Sequence, residues 1–387
     1  VIQCWAVLLL YNTLYGEKPI GLSMVTYPKQ KFMRATILLP ANTSDGKVIQ
    51  DEQHPNISTS KSFRSAPDKK IKKSGTDGYI VSGQFSNDGD EYRIGIEYSL
   101  DKKHLSINGT AETKISNIIG CVYCVLYFFE DIYLVTGSPY LRRGFFDLTL
   151  STVDPLYFNN LRVYLNVIKQ KNRYLKDNRT VDRDLLAVWG DQLAENGSYL
   201  VEKRLSFINF INVFIDRALN EIKDLIFPFR VSYKSNVLPD KNPEDVSDIK
   251  DKFRDELGKK IEKEINTRQS ICGPHRDDFI FTDDKFEIRY FGSVGEARLS
   301  SIILKQAQAA YYSEIKNVVP ILLIDDILLE LDLKNMEKVL HLIDKNWQRI
   351  ITTTEKFKLP EIFSCDRVFN IINKGDITWK ENGTCTL

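Results

Sequence analysis

The chain runs to 387 residues, 43% hydrophobic and 27% charged, too long for one small domain and too balanced for a disordered or fibrous protein. With 53 Lys and Arg against 52 Asp and Glu, the formal net charge is +1. Bulk charge therefore does not imply nucleic acid, and a DNA-binding surface has to come from local clustering. Six cysteines, at 4, 121, 124, 272, 365 and 385, are too sparse for a disulfide scaffold and fit a reduced, cytoplasmic setting.

Residues 1–15 are apolar but lack a basic leading region and fall short of the roughly 20 residues that span a bilayer. They read as a core strand or a damaged chain start, and no membrane association is expected. Strand-like runs follow at 36–39, 78–85, 92–98 and 105–107, with turn pairs Asp88-Gly89 and Asn108-Gly109 predicting antiparallel hairpins. Cys121 and Cys124 form a C-x-x-C inside the apolar run 118–129. No second pair or His cluster follows, so they read as core thiols rather than half of a zinc site.

From Pro155 the apolar period becomes helical, over 156–175, 185–222 and 246–265. The last of these, dense in Lys, Arg, Asp and Glu, reads as a solvated amphipathic helix. Strands are predicted again at 278–281 and 286–290, then a helix at 297–312 and the wholly apolar run 318–324. A helix at 333–344 and a strand at 349–353 complete the series. This order implies a helical lobe inserted into one α/β lobe.

The run Pro320, Ile321, Leu322, Leu323, Ile324 has the composition of a buried central strand of a parallel sheet, and it ends in Asp325 and Asp326. Paired carboxylates at a strand tip suit a nucleotide site: Asp325 holds Mg²⁺ and Asp326 orients the attacking water. The plainer alternative is a solvated acidic turn. Glu330 and Asp332 just beyond resemble the D-loop of ABC ATPases. Upstream, Ser293-Val-Gly-Glu296 opens an apolar helix and resembles the ABC signature S-x-G-Q, with Glu296 in the Gln place. A hydroxyl and free amides at a helix start suit phosphate, although a simple capped helix reads the same way. Thr352, Thr353 and Thr354 stand where transporters of this class place a switch His; they suit a phosphate sensor and a plain strand equally.

Two further blocks make the resemblance specific. Gly273-Pro-His-Arg-Asp-Asp278 resembles the G-P-H-R-D-D block of RecF proteins, and Gly137-Ser-Pro-Tyr-Leu-Arg-Arg-Gly-Phe-Phe-Asp147 resembles their G-S-P-x-x-R-R-x-F-x-D block. Ser58 to Arg64, Lys169-Gln-Lys-Asn172 and the region around Trp189 agree in order and spacing. The resemblance implies an α/β (mixed α+β) ABC-ATPase-like head with a P-loop NTPase sheet and an inserted helical second lobe. The lobes then divide as 1–150 (N-terminal part of the ATPase lobe), 151–266 (helical lobe) and 267–387 (signature, Walker B and D-loop). It also implies a DNA replication and repair protein of recombinational repair and the SOS response. Such a protein binds ATP with Mg²⁺ and single-stranded or gapped DNA, dimerises around nucleotide, and works with RecO and RecR. Lys61, Arg64, Arg142 and Arg143 are the basic clusters suited to DNA phosphates. His275 and Arg276 beside Asp277 and Asp278 read as an internal polar network rather than a catalytic dyad.

A P-loop belongs ahead of these motifs, and the expected place falls on Ala41, Asn42, Thr43, Ser44, Asp45, Gly46, Lys47 and Val48. Gly46 and Lys47 are present, but Ala41 replaces the first Gly and Val48 lacks the hydroxyl for Mg²⁺. Pro55 interrupts the helix that should follow. Either the reading frame is out over 1–57, or this homologue has lost its phosphate grip. In the second case a nucleotide-independent scaffold that binds DNA or docks RecR is the alternative function.

Overall fold

The computed structural model describes 33–34 and the chain from 78 onward. Its breaks fall at 88–89, 101, 113–116, 222–227, 239–248, 284–285, 326–340, 345, 353–363, 373–375 and 385–387. The expected P-loop at 41–48, Lys61, Arg64, Asp326, Glu330, Asp332 and residues 333–340 of the expected helix at 333–344 lie outside the described residues. The chain forms two compact units, one from the described parts of Val1–Phe129 and Gln308–Leu387 and the other from Glu130–Ala307.

In the first unit, β1 (Met33–Arg34), β2 (Gly78–Asn87), β3 (Asp90–Ser99), β4 (Lys102–Ile107) and β5 (Thr110–Glu112) form an antiparallel sheet in chain order. Strand β3 alternates as a one-sided strand should, burying Ile94, Ile96 and Tyr98 while Arg93 and Glu97 face water. Asn108 and Gly109 both have positive φ, 52° and 81°, the conformation a two-residue hairpin of this hand requires and one that Asn-Gly adopts with little strain.

The same unit holds a three-stranded parallel sheet, with β9 (Ile321–Asp325) between β6 (Cys124–Tyr127) and β10 (Gln348–Thr352). Ile321 to Ile324 are all buried, as are Cys124 to Tyr127. Continuous burial on both faces is what an apolar run without alternation predicts. Neither Cys121 nor Cys124 is in a disulfide, Cys124 lying inside its strand, and the described residues hold no cluster of metal-ligating side chains. A C-terminal hairpin, β11 (Ser364–Ile372) with β12 (Asp376–Thr384), was not indicated by the pattern.

The second unit is mostly helical. After a short turn, α1 (Tyr133–Thr136), its helices are α2 (Pro139–Val153), α3 (Pro155–Asp177), α4 (Arg183–Glu221) and α5 (Ile249–Thr267). Helices α2 and α3 are separated by one residue because Pro155 forces Asp154 into extended backbone (φ −129°, ψ 99°). The Asp154 carboxylate then accepts the Leu156 N–H at 2.9 Å, capping α3 with Pro at its first position. The antiparallel pair β7 (Arg230–Lys234) and β8 (Asp278–Thr282), with α5 in the chain between them, packs on α2, where Phe146 and Phe279 stack 3.6 Å apart. Helix α5 is wet on its outer face, as expected, with Arg254 on Asp191 at 2.9 Å and Lys259 on Glu256 at 2.9 Å.

One expectation is overturned. Residues 286–290 alternate like a strand, yet the chain makes a single bridge at Glu287 and then one helical turn, α6 (Ile288–Phe291). Only Ile288 of the alternating apolar set is buried, and the Phe291 and Gly292 amides bond back to Glu287 and Ile288. Five residues cannot distinguish period 2 from one turn of helix when the burying surface is absent from the local sequence. The helical part also begins earlier than Pro155, since α2 was not recognised.

Candidate functional site

Asp325 closes β9 at its carboxyl end, the place where ligands gather on open parallel sheets. Its register partner on β10 is Thr352, so the strand tip and the first threonine of the switch position lie side by side in the sheet. A carboxylate is the hard oxygen donor type that Mg²⁺ takes.

Helix α7 (Val294–Lys316) starts at the signature-like segment. The Ser293 hydroxyl accepts the Glu296 amide at 3.2 Å, and the Glu296 carboxylate accepts the Ser293 amide at 2.7 Å. This is a reciprocal capping box. Ser293 and Gly295 are exposed, and beside them Phe286, Tyr290, Phe291 and Val294 are exposed at 52%, 65%, 72% and 68%. The Phe286 and Phe291 rings lie 5.2 Å apart, and Arg289 sits 5.3 Å over the Tyr290 ring. Phe286, Tyr290, Phe291 and Val294 thus form a cluster of exposed large apolar side chains in one short segment.

The two blocks that carry the resemblance meet in the second unit. Arg142 is 2% exposed and pairs in a two-point grip with both carboxylate oxygens of Asp278, at 2.7 and 2.8 Å. Its remaining amine donates to the Val135 and Gly137 carbonyls. The expectation that Arg142 touches DNA is therefore corrected: its donors are consumed inside the protein, and it ties α2 to β8. Arg143 is only half-buried and donates to the Asp277 carbonyl at 2.7 Å; burial, followed by the nearby Arg204, lowers its pKa.

Arg204, 1% exposed on α4, holds the centre. It donates to Asp147 at 2.7 Å, to the Pro274 carbonyl at 2.8 Å, and to the Tyr157 hydroxyl at 3.1 Å. Burial alone pushes the guanidinium toward neutrality, but Asp147, with Tyr157, Tyr233 and Asp277, outweighs it and holds the pKa well above the usual value. Asp277 accepts from Tyr233 at 2.5 Å and from the Asn236 amide at 2.9 Å. Burial raises its pKa, opposed by those two donors and Arg204. A second buried pair, Lys171 with Glu264 at 2.5 Å, anchors the loop before Gly273, because Glu264 also accepts the Ile271 and Cys272 amides. Sequence reading missed Arg204, Lys171, Glu264, Tyr233 and Asn236. The available signal was a charged residue inside an apolar helical face, as Arg204 stands among Val201, Leu205, Phe207 and Ile208.

His275 sits against this network. The Tyr164 hydroxyl lies 2.7 Å from Nδ1, and Nε2 lies 3.2 Å from the Ser270 carbonyl. Nε2–H thus donates to the carbonyl while Nδ1 accepts from the tyrosine, an arrangement that fits the neutral ring. Burial lowers its pKa to about 3 against the Ser270 bond, with Arg276, Arg143 and Lys171 adding to the depression. The unfolded ring titrates at about 6.5. Between these values the unfolded state binds the extra proton, so stability falls as pH drops from 6.5 toward 3. His275→Gln is expected to flatten the stability–pH profile across that window in urea titrations. An unchanged slope would mean the ring is not held neutral.

No family model matches the chain. It is 30% identical over 321 residues to the DNA replication and repair protein RecF of Halothermothrix orenii, covering 82% of this chain and 86% of that protein. RecF of Streptococcus agalactiae is 31% identical over 315 residues (81% and 84%), and RecF of Streptococcus suis 31% over 351 residues (91% and 95%). A structure of the recombination mediator protein RecF with ATP superposes with a TM-score of 0.73 at 25% identity, covering 82% of this chain and 84% of that one. Its counterpart with ATPrS gives a TM-score of 0.70 at 24% identity.

Proposed function

Because this chain belongs to the RecF family of DNA replication and repair proteins, we propose that it binds ATP with Mg²⁺ on its parallel sheet and grips DNA, acting with mediator proteins of the RecO and RecR type. The fold is that of an ABC-ATPase-like head with a helical lobe. The observation that carries the nucleotide reading is Asp325 at the carboxyl end of a central parallel strand whose residues Ile321 to Ile324 are buried, with Thr352 as its register partner. Asp325 is the residue that would hold Mg²⁺, and the ion supplies charge neutralisation for the phosphates. Asp326 orients water, and Lys47 meets the β/γ-phosphates. Arg143, Lys61 and Arg64 are the basic residues offered to DNA.

Ser293 and Gly295 serve the nucleotide of a second copy, making ATP part of a homodimer interface. The exposed aromatics around them support this, since bare aromatic anchors at an interface centre carry much of its binding energy. Phe291→Glu is expected to weaken ATP-dependent dimerisation by about 30-fold or more, matching a hot spot of roughly 2 kcal/mol, with ATP affinity of the monomer unchanged. Sedimentation with and without nucleotide checks it; equal dimerisation removes this face from the interface.

ATP titration of the purified chain, with and without Mg²⁺, tests the central reading. Saturable binding is expected, and Asp325→Asn should reduce the gain from Mg²⁺ by at least about tenfold. Absence of saturable ATP binding with DNA binding retained would favour the nucleotide-independent scaffold.

A further inference from the structure

We propose that the solvent face of α3 is a contact strip for the DNA phosphate backbone, an inference that rests on the DNA-binding reading above and assigns it a place. Arg162, Lys169, Arg173 and Lys176 are all exposed. At 3.6 residues per turn their spacings of seven, four and three put them within an arc of about 60° and along about 21 Å of helix. The buried residues Tyr157, Tyr164, Ile168, Lys171 and Leu175 occupy the opposite side, facing the rest of the lobe. The strip is therefore rigidly backed and aimed at solvent.

Charge asymmetry singles this helix out. In a chain of formal net charge +1, α3 carries Arg162, Lys169, Lys171, Arg173 and Lys176 against the single acid Asp177. Lys171 is spent on Glu264 inside the lobe, which leaves four cations outward. The sole ion pair of the strip among the described residues is Arg173 with Asp177 at 3.5 Å, both largely exposed. By contrast, the cations of α5 are interleaved with acids that neutralise them. Exposed Asn166 and Gln170 stand between the α3 cations and add neutral donors suited to phosphate oxygens. A line of cations and amides, with Leu165 as its one exposed large apolar residue, fits a regular polyanion better than a protein interface with an apolar centre.

The test replaces Arg162, Lys169, Arg173 and Lys176 by Gln in the full chain and measures binding to a labelled duplex carrying a single-stranded gap, across a salt series. A control removes the same charge from α5: Lys252→Gln, Arg254→Gln, Lys259→Gln and Lys263→Gln. The strip variant is expected to bind at least about 30-fold more weakly at low salt, with a log–log salt slope shallower by about 3.6 if each cation meets one phosphate. The control should stay near wild type, and circular dichroism should match in all three. Unchanged DNA binding by the strip variant overturns the proposal while leaving the DNA-binding reading intact. Equal loss in strip and control also overturns it, pointing to net charge alone. Loss of binding to an acidic protein partner with DNA binding unaffected overturns it in favour of protein docking. If the wild-type chain itself does not bind the gapped duplex, the proposal fails together with the reading beneath it.

Discussion

Arg204→Met is expected to destabilise the helical unit by about 3–5 kcal/mol, the loss typical when one partner of a buried ion pair is removed. The side chain is 1% exposed, and its donors satisfy Asp147, Tyr157, Tyr233 and the Pro274 carbonyl. Methionine fills much of the volume but leaves the Asp147 charge with its strongest partner gone and the Pro274 carbonyl unmet. Urea unfolding followed by near-ultraviolet circular dichroism checks this; a loss under about 1 kcal/mol, the worth of an exposed pair, would show that Arg204 is not the centre of the network. Adding Asp147→Leu should restore part of the loss, because an apolar replacement of both charges removes the unpaired one. A double variant no better than Arg204→Met would mean the lost bonds to Pro274 and the tyrosines dominate.

Gly273→Ala is expected to be nearly as damaging, for reasons of space and backbone rather than charge. Gly273 has φ +123°, outside what side-chain-bearing residues adopt comfortably. A Cβ there would fall 2.1 Å from the Tyr164 hydroxyl and 2.8 Å from Phe253 Cζ. Neither neighbour can give way: Tyr164 is bonded to His275, and Phe253 is fully buried against Gly197 as well. Strain and overpacking together amount to about 3–5 kcal/mol. Tyr164→Phe in the same background should recover part of it by removing the clashing oxygen. A thermal midpoint for Gly273→Ala within a degree or two of wild type would show that the loop relaxes freely.

The elements most legible in the sequence were those whose environment is uniform along their length. The run Ile321 to Ile324 has one environment, buried on every side, so composition alone identifies it. Helices α3 and α4 repeat one apolar face over many turns, so periodicity identifies them. The segment 286–290 failed because Phe286 and Tyr290 mimic strand alternation around Ile288, although only Ile288 is buried. Arg142 was misassigned for a related reason. A lone arginine reads the same whether it faces solvent or a carboxylate 136 residues away, and Asp278 settled the matter.

From the sequence alone come the family, the order of sheet and helices, the acidic tip of β9 and the blocks at 137–147 and 273–278, because these depend on local residue types in fixed spacing. Only the tertiary structure decided what those blocks do. Arg142 with Asp278 and Asp147 with Arg204 become buried pairs because chain segments far apart in sequence close on one another, and burial turns surface-like charges into a network that binds α2, α4 and β8 together. The basic line on α3 needed both: the spacing is local, but the fold determines that this side of the helix, and not the other, is left to water.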